Sequence, residues 1–128
     1  MIYLDTSAAV KALIDEEDTE RVRALFAHDE EMISSRLLAL ELHAVVDHRS
    51  IASEAARELI DSVALVTLDD DTLDRAIQLH SGLRSFDALH LAAAQQLGDL
   101  VTSMLTFDRE LADAAVRVGI PLHPLGGA

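Results

Sequence analysis

Cysteine and tryptophan are absent from this 128-residue sequence, and Lys11 is its only lysine. Without cysteine the chain can form no disulfide, no thiolate nucleophile and no cysteine-ligated zinc site. Any chemistry must therefore come from carboxylates, hydroxyls, histidines or a bound ion. Carboxylates are the abundant group, with 23 aspartates and glutamates against ten lysines and arginines.

Long apolar runs are also missing. No stretch approaches the roughly 20 apolar residues that a membrane helix requires. The sequence opens on Ile2-Tyr3-Leu4 without a basic leader or a small-residue cleavage site, and we therefore expect a cytoplasmic protein. Half of the residues are apolar, which at this length is enough for one compact core. We expect residues 1–128 to form a single domain.

Positive charge is scarce, since the formal net charge is -13. This excludes binding to nucleic acid through a broad field of lysines and arginines that displaces counterions. It does not exclude a nuclease, because divalent cations can bridge clustered carboxylates to phosphates. An acidic exterior would also attract a basic protein partner, although solubility alone explains the same charge.

Short apolar runs alternate with segments that have helical spacing. The predicted strands are 2–4, 32–33, 63–66, 101–107 and 120–122. The predicted helices are about 7–14, 17–28, 36–46, 52–62, 71–80, 85–97 and 108–118, and glycines 82, 98 and 119 fall just after helix ends. This alternation predicts a three-layer α/β fold with a parallel sheet, in which sites lie beyond the carboxyl ends of the strands.

Two predicted strands lead into an aspartate. Asp5 follows Ile-Tyr-Leu and precedes Thr6 and Ser7, and Asp108 closes Met-Leu-Thr-Phe. Each would present a carboxylate at the sheet edge, but each also precedes a helix, and helix capping explains either residue taken alone. Thr106 lies on the same strand face as Asp108, where it can bond a neighbouring acid; ordinary β propensity is its other explanation.

Glu41 interrupts an apolar helix face, because the residues three and four positions away on both sides are all apolar. Burying an unpaired carboxylate costs several kcal/mol, roughly, so this position requires a cation, a hydrogen-bond partner or access to water. An arginine partner and an escape of the side chain to solvent are the structural alternatives to a metal.

Asp87 lies near the start of a helix that is apolar around most of its circumference and should run through the interior. Its position in the first turn is favoured by the helix dipole, which is an explanation without a metal. His90 follows one turn later on nearly the same face. It can support a metal site, or it can simply form hydrogen bonds in the core.

Together the four acids occupy strand ends and interior helix faces of one α/β domain. Carboxylates clustered in this way repel one another and raise each other's pKa unless hard cations such as Mg²⁺ or Mn²⁺ neutralise them. The run Asp69-Asp70-Asp71 resembles a metal motif too, but it precedes a helix and is better explained by capping or solvation.

The motifs resemble those of PIN domains, particularly the VapC-type toxins of bacterial toxin-antitoxin modules. The resemblance spans nearly the whole chain. It is carried by Glu41 in its leucine-rich helix and by three segments, Leu4-Asp-Thr-Ser7, Ser85-Phe-Asp-Ala-Leu-His-Leu-Ala92 and Leu105-Thr-Phe-Asp-Arg-Glu-Leu111. It implies a five-stranded parallel sheet in the order 3-2-1-4-5.

The same resemblance implies an endoribonuclease in which Asp5 and Asp87 are the principal ligands of Mg²⁺ or Mn²⁺, while Glu41 and Asp108 complete the site. Metal-activated water would attack the phosphodiester and leave a 5′-phosphate. The implied substrate is single-stranded or looped RNA, often tRNA or ribosomal RNA. The implied partners are a cognate antitoxin and a second copy of the chain. Thr6, Ser7, Thr106 and His90 are the candidates for supporting these ligands.

Two other functions compete with this one. In a phosphoryl-transfer domain of the receiver or haloacid-dehalogenase type, a strand-end aspartate such as Asp5 is phosphorylated. Those sites use a lysine after a later strand, whereas Lys11 lies in the first predicted helix. The other competitor is a catalytically silent PIN-like binding module, whose acids serve as caps or hold a structural ion.

Overall fold

The computed structural model describes residues 1–51 and 53–126, and over these it forms an α/β fold with seven α-helices. The strands are β1 (Ile2–Leu4), β2 (Met32–Ser35), β3 (Ala64–Val66) and β4 (Ser103–Leu105). The helices are α1 (Thr6–Leu13), α2 (Thr19–Ala27), α3 (Arg36–Arg49), α4 (Ser53–Asp61), α5 (Asp70–Gln78), α6 (Ser85–Leu97) and α7 (Arg109–Arg117). All seven predicted helices are present; the predicted first residue of α4, Ala52, lies outside the described residues.

The strands form one parallel sheet in the order β3-β2-β1-β4. Tyr3 is paired with Ile33 on one side, and Leu4 with Leu105 on the other. The carboxyl ends of β1, β2 and β4 therefore lie side by side at one edge. This edge is where the topology changes direction, and it is where open α/β sheets place their sites.

The prediction of a fifth strand over residues 120–122 is wrong. Within the part of the chain that the structure describes, residues 120–122 contribute only one parallel bridge, between Met104 and Leu122. Two backbone hydrogen bonds flank it, from Met104 N to the Pro121 carbonyl and from His123 N to the Met104 carbonyl. Because Pro121 and Pro124 have no N–H to donate, the ladder cannot extend far in either direction.

Both faces of the sheet are covered by helices. Ile2 and Leu4 belong to a core cluster that also contains residues of α1, α3 and α4, whereas Tyr3 belongs to a cluster with residues of α6 and α7. This split follows from the alternation of side chains along a strand. A strand buried on both faces is typical of parallel sheets and explains why β1 is apolar at every position.

Helix ends follow the expected chemistry at several points. Gly98 caps α6 with φ +56, and Gly119 follows the last turn of α7 with φ +84; both conformations favour glycine. Asp69 caps α5 in a reciprocal arrangement with Thr72, so the acidic run before α5 serves as a helix start. Within the described residues, no helix is long and apolar enough to cross a membrane.

Candidate metal centre

Asp5 stands at the carboxyl end of β1 and is almost completely buried, with 2% of its surface exposed. It is the N-cap of α1, where Oδ1 accepts the Ala8 N–H at 3.1 Å. Ser7 Oγ donates to the same oxygen at 2.8 Å, and Thr106 Oγ1 donates to Oδ2 at 2.7 Å. Asp5 therefore caps α1 and also accepts hydrogen bonds from two hydroxyls at this end of the sheet.

The surroundings of Asp5 disfavour its charge. Burial raises the pKa of its carboxyl, and the hydrogen bond from Thr106, the nearby His90 ring and the bonds from Ala8 and Ser7 oppose that rise. Burial has the largest effect on this pKa. The hydrogen bonds alone therefore do not offset the cost of ionising the buried carboxyl. A cation next to this carboxylate would favour the ionised form.

Two hydroxyls join the first and last parts of the chain around Asp5. Thr106 Oγ1 accepts the backbone N–H of Asp108 at 3.0 Å, and Ser7 Oγ accepts that of Phe107 at 2.9 Å. Because each hydroxyl also donates to Asp5, the segment after β4 is held against the start of α1. The hydroxyls fix the position of the carboxylate and of the loop that carries Asp108.

Glu41 forms a second hydrogen-bonded group on the same edge. Its Oε1 accepts from Thr6 Oγ1 at 2.6 Å and is 2.8 Å from His90 Nε2. The Glu41 side chain is 21% exposed and that of His90 only 1%. The carboxylate that interrupts the apolar face of α3 is therefore satisfied by a hydroxyl and an imidazole rather than by an arginine.

Tyr3 is a member of this group that the sequence analysis missed. Its hydroxyl lies 2.8 Å from His90 Nδ1, and its ring meets the imidazole edge-on at a centroid distance of 5.8 Å. Burial raises the pKa of Tyr3 to about 12. The available signal was that the only tyrosine of the chain lies between two aliphatic residues in a predicted strand that leads into Asp5.

Asp87 differs from the other acids because its carboxylate accepts no hydrogen bond among the described residues. Burial raises its pKa, and the charges of Asp108, Asp5 and Glu41 raise it further, while His90 opposes them. Charges act in this way only over short distances. The four sequence-predicted acids therefore share one electrostatic neighbourhood, with Asp87 as the member on which the others act.

Asp108 caps α7, accepting the Leu111 N–H on Oδ1 at 3.1 Å. Like Asp5, it combines this structural role with a position beside Asp87. Ser85 is not the cap of α6: it is the first helical residue, and Arg84 occupies the cap position without a side-chain bond.

Whether these residues can bind a metal ion depends on the chemistry of their donor atoms. Over the described ranges, no three acidic or histidine side chains are already gathered as ligands of one ion. The carboxylates are nevertheless close enough to raise the pKa of Asp87, and all four offer oxygen, which Mg²⁺ and Mn²⁺ prefer. Burial raises the pKa of both Asp5 and Asp87, and the opposing effect of His90 on each is smaller. The donor set therefore fits a hard divalent cation.

Exposed cationic side chains also occur at this edge. Arg36 begins α3 directly after β2, Arg109 begins α7 directly after Asp108, and Arg84 precedes α6. All three are exposed. Cations at helix N-termini work against the helix dipole, so their positions are not explained by helix stability. We refer to Arg36, Arg84 and Arg109 as the arginine rim.

Lys11 does not serve Asp5. Its Nζ lies 3.1 Å from Glu16 Oε2 and 5.2 Å from the ring centroid of Phe107. Asp5 is buried, and both of its oxygens accept hydrogen bonds. An acyl-phosphate mechanism needs an accessible aspartate with a lysine beside it, so this arrangement argues against the phosphoryl-transfer alternative.

Comparison with known proteins gives consistent results. The PIN domain family model matches residues 2–117. Ribonuclease VapC46 of Mycobacterium tuberculosis is 35% identical over 121 residues, covering 93% of each chain, and Ribonuclease VapC47 of the same species is 36% identical over 126 residues, again covering 93% of each. Ribonuclease VapC35, also from that species, is 32% identical and covers 100% of this chain and 99% of its own.

Among solved structures, the crystal structure of Mycobacterium tuberculosis VapC20, described as a toxin that cleaves the sarcin-ricin loop, superposes with a TM-score of 0.72. It shares 19% sequence identity and covers 89% of this chain and 95% of its own. At that identity the likeness concerns the fold.

Proposed function

This chain belongs to the PIN-domain family and to its VapC ribonucleases, and from that premise we propose that it is a metal-dependent endoribonuclease, the toxin of a toxin-antitoxin pair. The relatives with 32–36% identity are all named ribonucleases. The observation that carries the proposal is the shared neighbourhood of the four acids, in which Asp87 has a raised pKa caused partly by Asp108, Asp5 and Glu41.

We propose that Asp5 and Asp87 are the principal ligands of Mg²⁺ or Mn²⁺, and that Glu41 and Asp108 complete the site. When bound, such ions lower the pKa of water and stabilise charge on a phosphodiester. Thr106 and Ser7 orient Asp5, since both donate to it. The proposed reaction is hydrolysis of the bond to the 3′-oxygen, which leaves a 5′-phosphate.

The arginine rim supports an RNA substrate. A chain with net charge -13 repels a polyanion unless cations are concentrated where it binds. Three exposed arginines at one sheet edge provide such a concentration, and guanidinium groups bind phosphate well. We propose that single-stranded or looped RNA, of the tRNA or ribosomal RNA class, crosses this rim. We propose a cytoplasmic location on the basis of these proposed substrates.

A cognate antitoxin is the proposed protein partner. A groove of about 370 Å³ lies between α1, α2 and α4, away from the four acids, and its lining includes Leu13, Phe26, Ala55 and Leu59 together with Arg23. We call it the apolar groove. Its shape and lining suit an amphipathic segment of a partner, and the acidic exterior suits a basic one. The homodimer also stays a prediction.

The test is cleavage of total bacterial RNA by purified wild type, Asp87→Asn and Asp71→Asn, after any copurifying partner has been removed, with Mg²⁺, Mn²⁺ or EDTA. Asp71 is an exposed acid of α5 and provides a control with the same change of charge. We expect discrete fragments from wild type and Asp71→Asn, loss of cleavage in EDTA, and a reduction of at least about 100-fold for Asp87→Asn.

The alternatives give different results. Cleavage by Asp87→Asn at the wild-type rate would refute the assignment of the site. If the wild type cleaved no RNA with any divalent ion, the silent binding module would be the better description.

A further inference from the structure

A buried chain of hydrogen bonds runs from the sheet to the acidic site. It begins at the Tyr3 hydroxyl, passes through the two ring nitrogens of His90 and ends on Glu41 Oε1, with both contacts at 2.8 Å. Tyr3 is fully buried and His90 is 1% exposed. Nothing in the proposed reaction requires a tyrosine at this depth.

The proton positions along this chain follow from the chemistry of its ends. An ionised carboxylate can only accept, so the Nε2 that faces Glu41 carries the ring proton. In the neutral imidazole Nδ1 then has a free lone pair, which accepts from the Tyr3 hydroxyl. Thr6 Oγ1 donates to the same Glu41 oxygen as Nε2, at 2.6 Å. Glu41 Oε1 therefore has two donors, whereas Oε2 has no hydrogen bond among the described residues.

We propose that Tyr3 is a positioning residue: by donating to Nδ1 it holds the His90 ring in the orientation in which Nε2 donates to Glu41 Oε1. This would direct Oε2 toward a divalent cation bound at the site. The inference rests on the proposed function, because it assigns a purpose to Glu41 as a ligand. Residues that orient metal ligands in this way commonly influence metal affinity almost as strongly as the ligands do.

The cost of burying these groups supports a specific role. The Tyr3 and His90 side chains lie among apolar residues, with Leu91 and Met104 in the same buried region. A phenol and an imidazole in such surroundings are tolerated only when their polar atoms are bonded. Phenylalanine and leucine would fill the space without that requirement, so the polar pair is not needed for packing.

The first test concerns the tautomer and needs neither metal nor RNA. In EDTA, the ¹⁵N shifts and couplings of the His90 ring in the full chain report which nitrogen carries the proton, and the His90→Asn spectrum identifies the signal among the six histidines. We expect a single, well-defined Nε2–H tautomer in wild type. In Tyr3→Phe we expect the same tautomer with a broadened Nε2–H signal, because Nδ1 has lost its partner and the ring is less firmly held. An Nδ1–H tautomer in wild type would overturn the proposal.

The second test measures Mn²⁺ affinity by calorimetry in two matched variants. Glutamine places its amide near the position of Nε2 and can still donate to Glu41, whereas asparagine reaches only the Nδ1 position. We expect His90→Asn to bind Mn²⁺ roughly 10- to 100-fold more weakly than wild type, His90→Gln to recover most of that loss, and Tyr3→Phe to lose about 10-fold or less.

A control separates positioning from stability. Thr72→Val removes a buried hydroxyl that bonds Asp69 and Gln96; we expect it to lower the melting temperature without changing Mn²⁺ affinity. Equal losses of affinity in His90→Gln and His90→Asn, or no loss in either, would overturn the positioning role. If the tautomer and the ranking hold but wild type cleaves no RNA, the proposed function fails and the positioning role stands.

Discussion

Asp87 is the acid whose surroundings satisfy it least. Asp5, Glu41 and Asp108 each accept hydrogen bonds from the chain, whereas Asp87 accepts none among the described residues and is repelled by the other three. A carboxylate in this situation is poorly stabilised in the folded state when it is charged. The charge of Asp87 therefore does not stabilise the fold, which is consistent with its proposed role as a metal ligand.

We expect Asp87→Asn to be more stable than wild type in EDTA at neutral pH. The folded-state pKa of Asp87 is raised, so between its unfolded and folded pKa values the folded protein binds more protons, and stability falls as the pH rises through that range. Because asparagine does not titrate, Asp87→Asn lacks this part of the decrease in stability. The gain should be below about 1 kcal/mol, because Asp87 is only partly buried and water screens its charge.

Thermal unfolding from about pH 4 to pH 8 measures this effect. Plotted against pH, the melting temperatures of wild type and Asp87→Asn should converge at the acidic end and separate as the pH rises. A constant difference over the whole range would contradict the assigned pKa shift. Asp5 changes stability in the same direction, since burial raises its pKa too, and part of the pH dependence should therefore remain in the variant.

At the scale of single residues, local patterns identify the four candidate acids but not their hydrogen-bond partners. Asp5, Asp87 and Asp108 stand where strands end or interior helices begin, and Glu41 interrupts an apolar face; these are local patterns. The contact between Tyr3 and His90 joins residues 87 positions apart, and no local pattern specifies it. A tyrosine in a strand is explained sufficiently by its ordinary β propensity.

Helices were the elements most fully predicted, because each combines apolar spacing with a recognisable end. The fifth strand was not predicted correctly, because its apolar residues surround a proline whose effect depends on which neighbour the segment meets. The start of α6 shows a similar limit: Ser85 has a side chain suited to an N-cap, but it is the first residue of the helix. Boundaries depend on backbone geometry that composition does not fix.

The end of α7 offers a prediction about an element. Gly119 has φ +84, and a Cβ at this position would meet nothing within 4 Å. Gly119→Ala should therefore destabilise the protein by about 1–2 kcal/mol through backbone strain alone, and Gly119→Asn should cost less, because asparagine tolerates this conformation. Urea unfolding of the three proteins measures the difference. Equal stability of the alanine and asparagine variants would contradict the strain argument.

At the scale of the whole molecule, metal binding by the four acids should increase the stability of the folded protein. We expect Mg²⁺ or Mn²⁺ to raise the unfolding free energy of wild type by about 2.7 kcal/mol at a concentration 100 times the dissociation constant. Asp71→Asn should show the same rise, whereas Asp87→Asn should show little at that concentration. Calorimetric melting with and without EDTA measures it. An equal rise in all three proteins would indicate binding elsewhere on the acidic surface.

The acidic site joins residues that are far apart in the sequence, from Asp5 to Asp108, and this determines the order in which its parts are synthesised. Thr106 donates to Asp5 across 101 positions, and Ser7 meets Phe107 across 100. The apolar groove, by contrast, is lined entirely by residues between positions 12 and 62. During translation the surface proposed to bind the antitoxin therefore leaves the ribosome before Asp108, the last of the four proposed ligands. If that surface binds an antitoxin as proposed, binding to the nascent chain would precede completion of the proposed nuclease site.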